Sequence, residues 1–134
     1  MASIQFDHEK LDVYRVSLEF TAWAHRLSKE LKGMDRSTRD QLVRASQSIP
    51  LNIAEGNGRR PSPDRRRFFQ IAYGSSLECA AILDVLHVCG TITAQRTDEG
   101  KILLKRIVAM LIKMSMDQAQ VHEDAAGYAL ELEK

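Results

Sequence analysis

Residues 48–78, SIPLNIAEGNGRRPSPDRRRFFQIAYGSSLE, read as the end of one helix, a turn and most of a second helix. The turn is GNGRRPSP, Gly56 to Pro63, with two glycines and two prolines in eight residues. Ser62, Pro63 and Asp64 then supply an N-cap hydroxyl, the preset φ of a first helical residue and an acidic first turn. Downstream, Phe68, Ile71 or Ala72, Ser75, Cys79, Ile82 and Leu86 step by three and four, the period of one helical face, and Gly90 ends the run. Small residues in the middle of that stripe permit close approach of a second helix. Upstream, Leu42, Ala45, Ser46, Ile49 and Ile53 form the inner face of the preceding helix, with Ser37 or Thr38 as its cap. Pro50 falls inside it, removes one N–H and crowds the carbonyl of Ser46, at a cost of about 3 kcal/mol in an ordinary helix interior. A kink or loosened turn is therefore expected, with a tertiary contact to offset it. Ser46, Ser48, Asn52 and Glu55 surround the proline as a polar seam that fixes helix register.

Helical periodicity continues on both sides. Val13, Val16, Phe20, Trp23, Leu27 and Leu31 form a stripe that Gly33 terminates. After the linker TITAQR, Thr97 reads as a cap with Asp98 and Glu99 in the first turn, and Leu104, Ile107, Val108, Leu111 and Met114 as an inner face. Ile102, Leu103, Ala109, Met110, Ile112 and Met116 widen the apolar surface of that last helix beyond one core-facing stripe, which points to another subunit. Helices over about residues 9–32, 38–57, 63–89 and 98–121, with short connections and no period-two pattern, predict an all-α, antiparallel up-and-down four-helix bundle as one domain over 1–134.

The chain has 134 residues, 44% hydrophobic and 28% charged, which suits one packed core and not a disordered tail. Its N-terminus carries charges where a secretory signal needs apolar residues, and no run of about 18 apolar residues occurs, so the expected compartment is the cytoplasm and no membrane partner is expected. Cys79 and Cys89 lie ten residues apart in one helical segment, roughly 15 Å along its axis, too far to bridge each other. His8, His25, His87 and His122 are scattered without zinc spacing, and Asp84-x-x-His87 alone does not make a di-iron site. No metal or other cofactor is expected. Helical-bundle ribonucleases that use an Arg four to six residues before a His find no match at any of the four histidines. Nucleophilic triads and phosphate loops are also missing, and a non-catalytic protein is expected.

Charge is concentrated. Between Arg36 and Arg67, eight arginines face Asp40, Glu55 and Asp64, a net +5 that leaves −4 for the rest of a chain whose total is +1. Arg59, Arg60, Arg65, Arg66 and Arg67 crowd the turn and the start of the following helix, where the helix dipole opposes positive charge by a few tenths of a kcal/mol. Local stability does not choose that placement. Guanidinium forks and a positive helix end together suit phosphates, of RNA or DNA, or an acidic protein surface. Phe68 reads as core, so no stacking platform accompanies the cluster, and contacts to nucleic acid would be mainly to backbone and salt-sensitive.

The segments SIPLNIAEG at Ser48 to Gly56, GRRPSPDRRRFFQIAYGSSLE at Gly58 to Glu78 and FDHEKLDVYRVSLEF at Phe6 to Phe20 closely resemble the four-helix bundle proteins encoded in intervening sequences of 23S rRNA genes. The resemblance covers roughly Phe6 to Met116. It implies a homopentameric ring of antiparallel bundles, and the family's relatives include the accessory variability determinant of diversity-generating retroelements, a basic pentamer that binds nucleic acid and a reverse transcriptase. A ring would place every arginine cluster on one rim. The family's polar positions match Ser48, Asn52, Glu55 and Glu78 beside Pro50, and a hairpin about residue 60 brings Arg44 level with residues 76–78, which predicts an Arg44–Glu78 contact. The expected function is nucleic-acid or nucleoprotein binding by an oligomeric bundle; a scaffold that docks an acidic protein is the alternative.

Overall fold

The computed structural model describes residues 4–33 and 36–114. Among these residues there are four α-helices and no strand: α1 (Asp12–Glu30), α2 (Arg36–Asn57), α3 (Pro63–Val88) and α4 (Ala94–Met114), preceded by a 3₁₀ turn at Asp7–Lys10. The expected first helix, 9–32, is shorter because Leu11 adopts an extended conformation between the 3₁₀ turn and α1. At its other end Leu31 is again extended and Gly33 takes φ 68°, two residues beyond the helix. Arg39 Nη1 donates to the Leu31 carbonyl at 2.8 Å, capping α1 from α2. Ser37 and Thr38 lie inside α2, not ahead of it.

Pro50 does not interrupt α2, which runs continuously from Arg36 to Asn57. Its tertiary compensation comes from α1: Thr21 Oγ1 lies 3.0 Å from the Ser46 carbonyl, the one Pro50 deprives of its N–H, and 2.9 Å from Ser17 O, so its proton is shared. The polar seam forms in part. Ser75 Oγ donates to Ser48 Oγ at 2.8 Å, and Asn52 Nδ2 donates to Ser48 O and Oγ at 2.8 and 3.0 Å. Glu55 is exposed and turns to Arg59 instead. Gly56 is needed where α2 meets α3, because a Cβ there would come 2.7 Å from Phe69 Cε1.

Ser62 caps α3, its Oγ accepting from Arg65 N at 3.1 Å, with Pro63 at the first helical position. At the other end Gly90, with φ 76°, closes the helix as Gly90 N donates to His87 O and Thr91 N to Leu86 O. Helix α4 begins at Ala94, four residues before the expected 98. The cap is Thr93, whose Oγ1 accepts from Arg96 N at 3.1 Å, while Thr97 is buried and donates to Thr93 O. The expected stretch 115–121 of the last helix and the tail from His122 lie outside the described residues.

The core joins Phe20, Trp23 and Leu27 to Leu42, Ile49, Ile53, Phe69, Leu83, Leu86, Ile107 and Leu111, all buried. Each helix packs on two others: α1 on α2 and α4, α3 on α2 and α4. Buried Ser17, Ser28 and Ser76 return their hydroxyls to carbonyls three or four residues back, so none is an unpaired donor. The expected surplus apolar surface of α4 is exposed in part, at Ile102, Ala109 and Ile112, and α3 carries more of it. Leu103 and Met110 of α4 pack partly against the core, whereas Leu77, Val85 and Val88 of α3 are exposed, Val88 to 84%. By length and composition alone α3 could cross a membrane; its inner stripe is bundle core.

Both cysteines are free. Burial first, and Glu78 beside it second, push the Cys79 thiol up from 9.0 to about 12. An unfolded chain would release that proton near 9.0 while the folded one holds it, so stability is undiminished below pH 9 and declines as pH rises from there toward 12. A thiol reagent at neutral pH is expected to modify exposed Cys89 at once and Cys79 only on unfolding, giving one fast equivalent per chain; two fast equivalents would contradict this burial.

Candidate nucleic-acid interface

The basic turn is built by two helix ends that meet. Helix α2 finishes with Gly58 N donating to Ala54 O and Arg59 N to Gly56 O, leaving carbonyls without helical partners. Arg65, in the first turn of α3, fills that need. Its Nη1 lies 2.9 Å from Arg59 O, 3.3 Å from Asn57 O and 3.4 Å from Gly56 O, and its guanidinium stacks 5.0 Å from the centroid of the Phe69 ring. The charge that opposes the α3 dipole therefore completes the negative end of α2, where a cation is stabilising. Local stability does choose Arg65, contrary to the sequence argument, and its Nη1 is committed within the fold.

The other four arginines divide into pairs. Arg59 and Arg67 both lie over Phe68, 5.0 and 5.4 Å from its centroid, and both approach Asp64, at 3.3 and 3.5 Å; Arg59 also reaches Glu55 at 3.3 Å. Arg60 and Arg66 have no ion pair or side-chain hydrogen bond among the described residues. Phe68 is not core: it is half-buried beneath those two guanidinia, and Phe69 takes the core position. The 3₁₀ turn borders the site, since Asn57 Nδ2 donates to Asp7 Oδ2 at 3.0 Å.

The remaining arginines of the basic window sit elsewhere. Arg44 is exposed beside an open groove between α1 and α2, with His25, Arg39, Asp40 and Gln47. It lies 13 residues, about 20 Å of helix, before Asn57. The predicted Arg44–Glu78 contact is not formed: the ion pairs among the described residues do not include it. The level was right, because Ser48 meets Ser75, but both Arg44 and Glu78 turn outward. Among the described residues no group of three or more His, Cys, Asp or Glu is placed to hold a metal. Thr21 and Arg39, which hold α2 to α1, were missed by the sequence reading; a threonine at the edge of an apolar stripe facing a helical proline was the available signal.

The arrangement is that of an all-α four-helix protein carrying an arginine-rich turn. Residues 9–113 match the family model of the 23S rRNA-intervening sequence proteins, and the chain belongs to that family. Its fold is similar to a crystal structure of a protein of unknown function from the S23 ribosomal protein family of Bacteroides thetaiotaomicron. The TM-score is 0.72 at 24% identity, over 78% of this chain and 99% of the other. Among curated proteins none matches.

Proposed function

We propose that this chain is a non-catalytic, self-associating, antiparallel four-helix bundle that binds the phosphates of RNA or DNA through its α2–α3 turn. The observation that carries the reading is the pair of uncommitted forks, Arg60 in the turn and Arg66 near the start of α3. Arg59 and Arg67 are tethered to Asp64 and flank them, able to trade that exposed carboxylate for a phosphate at little cost. Opposite running directions of neighbouring helices are supported by Ser48 meeting Ser75 while Gly56 meets Phe69. A homo-oligomer, a pentamer by family resemblance, would gather several such turns and strengthen their field.

Binding of structured RNA and DNA, followed by fluorescence anisotropy across a salt series, tests this. Arg60→Gln with Arg66→Gln is expected to weaken binding and to lower the slope of log K against log salt by roughly 1.5–2, one phosphate contact per arginine. Absence of binding at low salt, or an unchanged slope, would overturn the reading and turn the search to an acidic protein that docks on the same turn.

A further inference from the structure

Three rings climb from the core to solvent where the 3₁₀ turn packs on α1 and α2. Tyr14 of α1 packs partly against the core, His8 meets it edge-on at 4.6 Å between centroids, and Phe6 lies 6.0 Å from His8 with its plane only 14° away. His8 is half-buried, whereas Phe6 remains 68% exposed, so the outermost ring presents an open face to water. Its backbone is tied nonetheless. Phe6 N donates to Glu9 Oε2, and Glu9 N donates to Phe6 O at 3.1 Å, closing the turn that carries both rings.

We infer that the Phe6–His8 pair is a stacking platform for unpaired bases of a single-stranded nucleic acid whose phosphates lie on the neighbouring arginine turn. Asn57 joins the two features: its Nδ2 donates to Asp7 Oδ2 at 3.0 Å, and its carbonyl accepts from Arg65 Nη1 at 3.3 Å. The aromatic pair and the α2–α3 turn are therefore neighbours at one end of the bundle. An open aromatic face takes any base, because every base has a π-face, so the platform adds affinity without reading sequence. A ring that only stapled the 3₁₀ turn to the bundle would be covered by it, and Phe6 is not.

Charge separates the two halves of this surface. Asp7 and Glu9 flank the rings, whereas the turn beside them carries Arg59, Arg60 and the arginines of early α3. Phosphates are repelled from the first and drawn to the second, while a neutral base meets no such bias. A duplex keeps its bases inside and its phosphates outward, and would set phosphates against Asp7. An unpaired strand can turn its backbone to the arginines and its bases to the rings. The sequence reading looked for a platform at Phe68 and found none; in the structure that ring is taken by Arg59 and Arg67, and the open aromatic face comes from the N-terminal segment instead.

The inference rests on the phosphate binding proposed above, and a strand without bases separates the two. Fluorescence anisotropy on the full chain compares short oligouridylate and oligothymidylate with an abasic strand of the same length and the same phosphates. Wild-type protein is expected to bind the base-bearing strands about 5- to 100-fold more tightly than the abasic one, and Phe6→Ala to lose that preference with the slope of log K against log salt unchanged. Loss with either strand supports the platform and identifies its sugar. Phe6→Trp should keep the preference, and its added indole should be quenched by a base-bearing strand and not by the abasic one, a readout independent of any change in stability. Binding that falls with Arg60→Gln and Arg66→Gln but is equal for the abasic strand, or indifferent to Phe6→Ala, would overturn the platform and leave the phosphate reading standing. A wild type that binds no strand at low salt would overturn both.

Discussion

Arg65→Gln is expected to destabilise the fold by about 2–3 kcal/mol, a loss well above that of any other arginine in the turn. Three main-chain carbonyls, Gly56 and Asn57 at the end of α2 and Arg59 in the turn beyond it, share Arg65 Nη1, and the guanidinium carbon lies over the buried Phe69 ring. A glutamine reaches one carbonyl at most, carries no charge for the α2 dipole and uncovers the aromatic face. Arg65→Lys should fall between, because an ammonium restores the charge without the planar fork. Thermal unfolding should show a fall in Tm of roughly 8–12 °C for the glutamine variant and a change of a degree or two for Arg60→Gln or Arg66→Gln. Equal Tm values for all three would mean that Arg65 is as uncommitted as its neighbours. The comparison also bears on binding: a triple substitution of Arg65, Arg66 and Arg67 would mix unfolding with lost phosphate contacts, whereas Arg60 with Arg66 isolates the latter.

What could be read in the sequence follows from where the signals are local. Ser62, Pro63 and Asp64 fix the start of α3 by backbone chemistry alone, and the structure places them as read. Gly33 and Gly90 adopt the positive φ expected of them. The failures occur where a second partner chooses between equal local candidates. Thr93 and Thr97 can each cap a helix; the choice falls to Thr93 because Thr97 is at a buried position of the bundle. Phe68 and Phe69 differ by 100° around α3, and periodicity could not separate them because α3 is apolar on its outer face as well as its inner one. Arg65 was misread for a similar reason: a cation at a helix start is locally unfavourable, and only the neighbouring end of α2 reverses the sign.

Gly100→Ala is expected to destabilise the protein by about 2 kcal/mol, although helix propensity alone would predict a gain of about 1 kcal/mol from the same change. The added Cβ would lie 2.6 Å from Trp23 Cη2 and 2.7 Å from both Trp23 Cζ3 and Leu83 Cδ1. None of these atoms is the free end of a loose side chain. The indole is held by its Nε1 donating to Glu99 Oε2 at 3.3 Å, by Phe20 stacked at 5.7 Å and by Arg96 at 5.8 Å from its ring, itself paired with Glu30. Leu83 is fully buried against the same helix. Relief must therefore come from separating α4 from α1 and α3 together, which opens space along the core on both sides. Trp23→Phe removes the two colliding atoms, so in that background the cost of Gly100→Ala should shrink by at least half, a coupling that a double-mutant cycle in denaturant reads directly. If the two substitutions add independently, the indole is not what requires a glycine there, and the close approach of α4 to α1 has another cause.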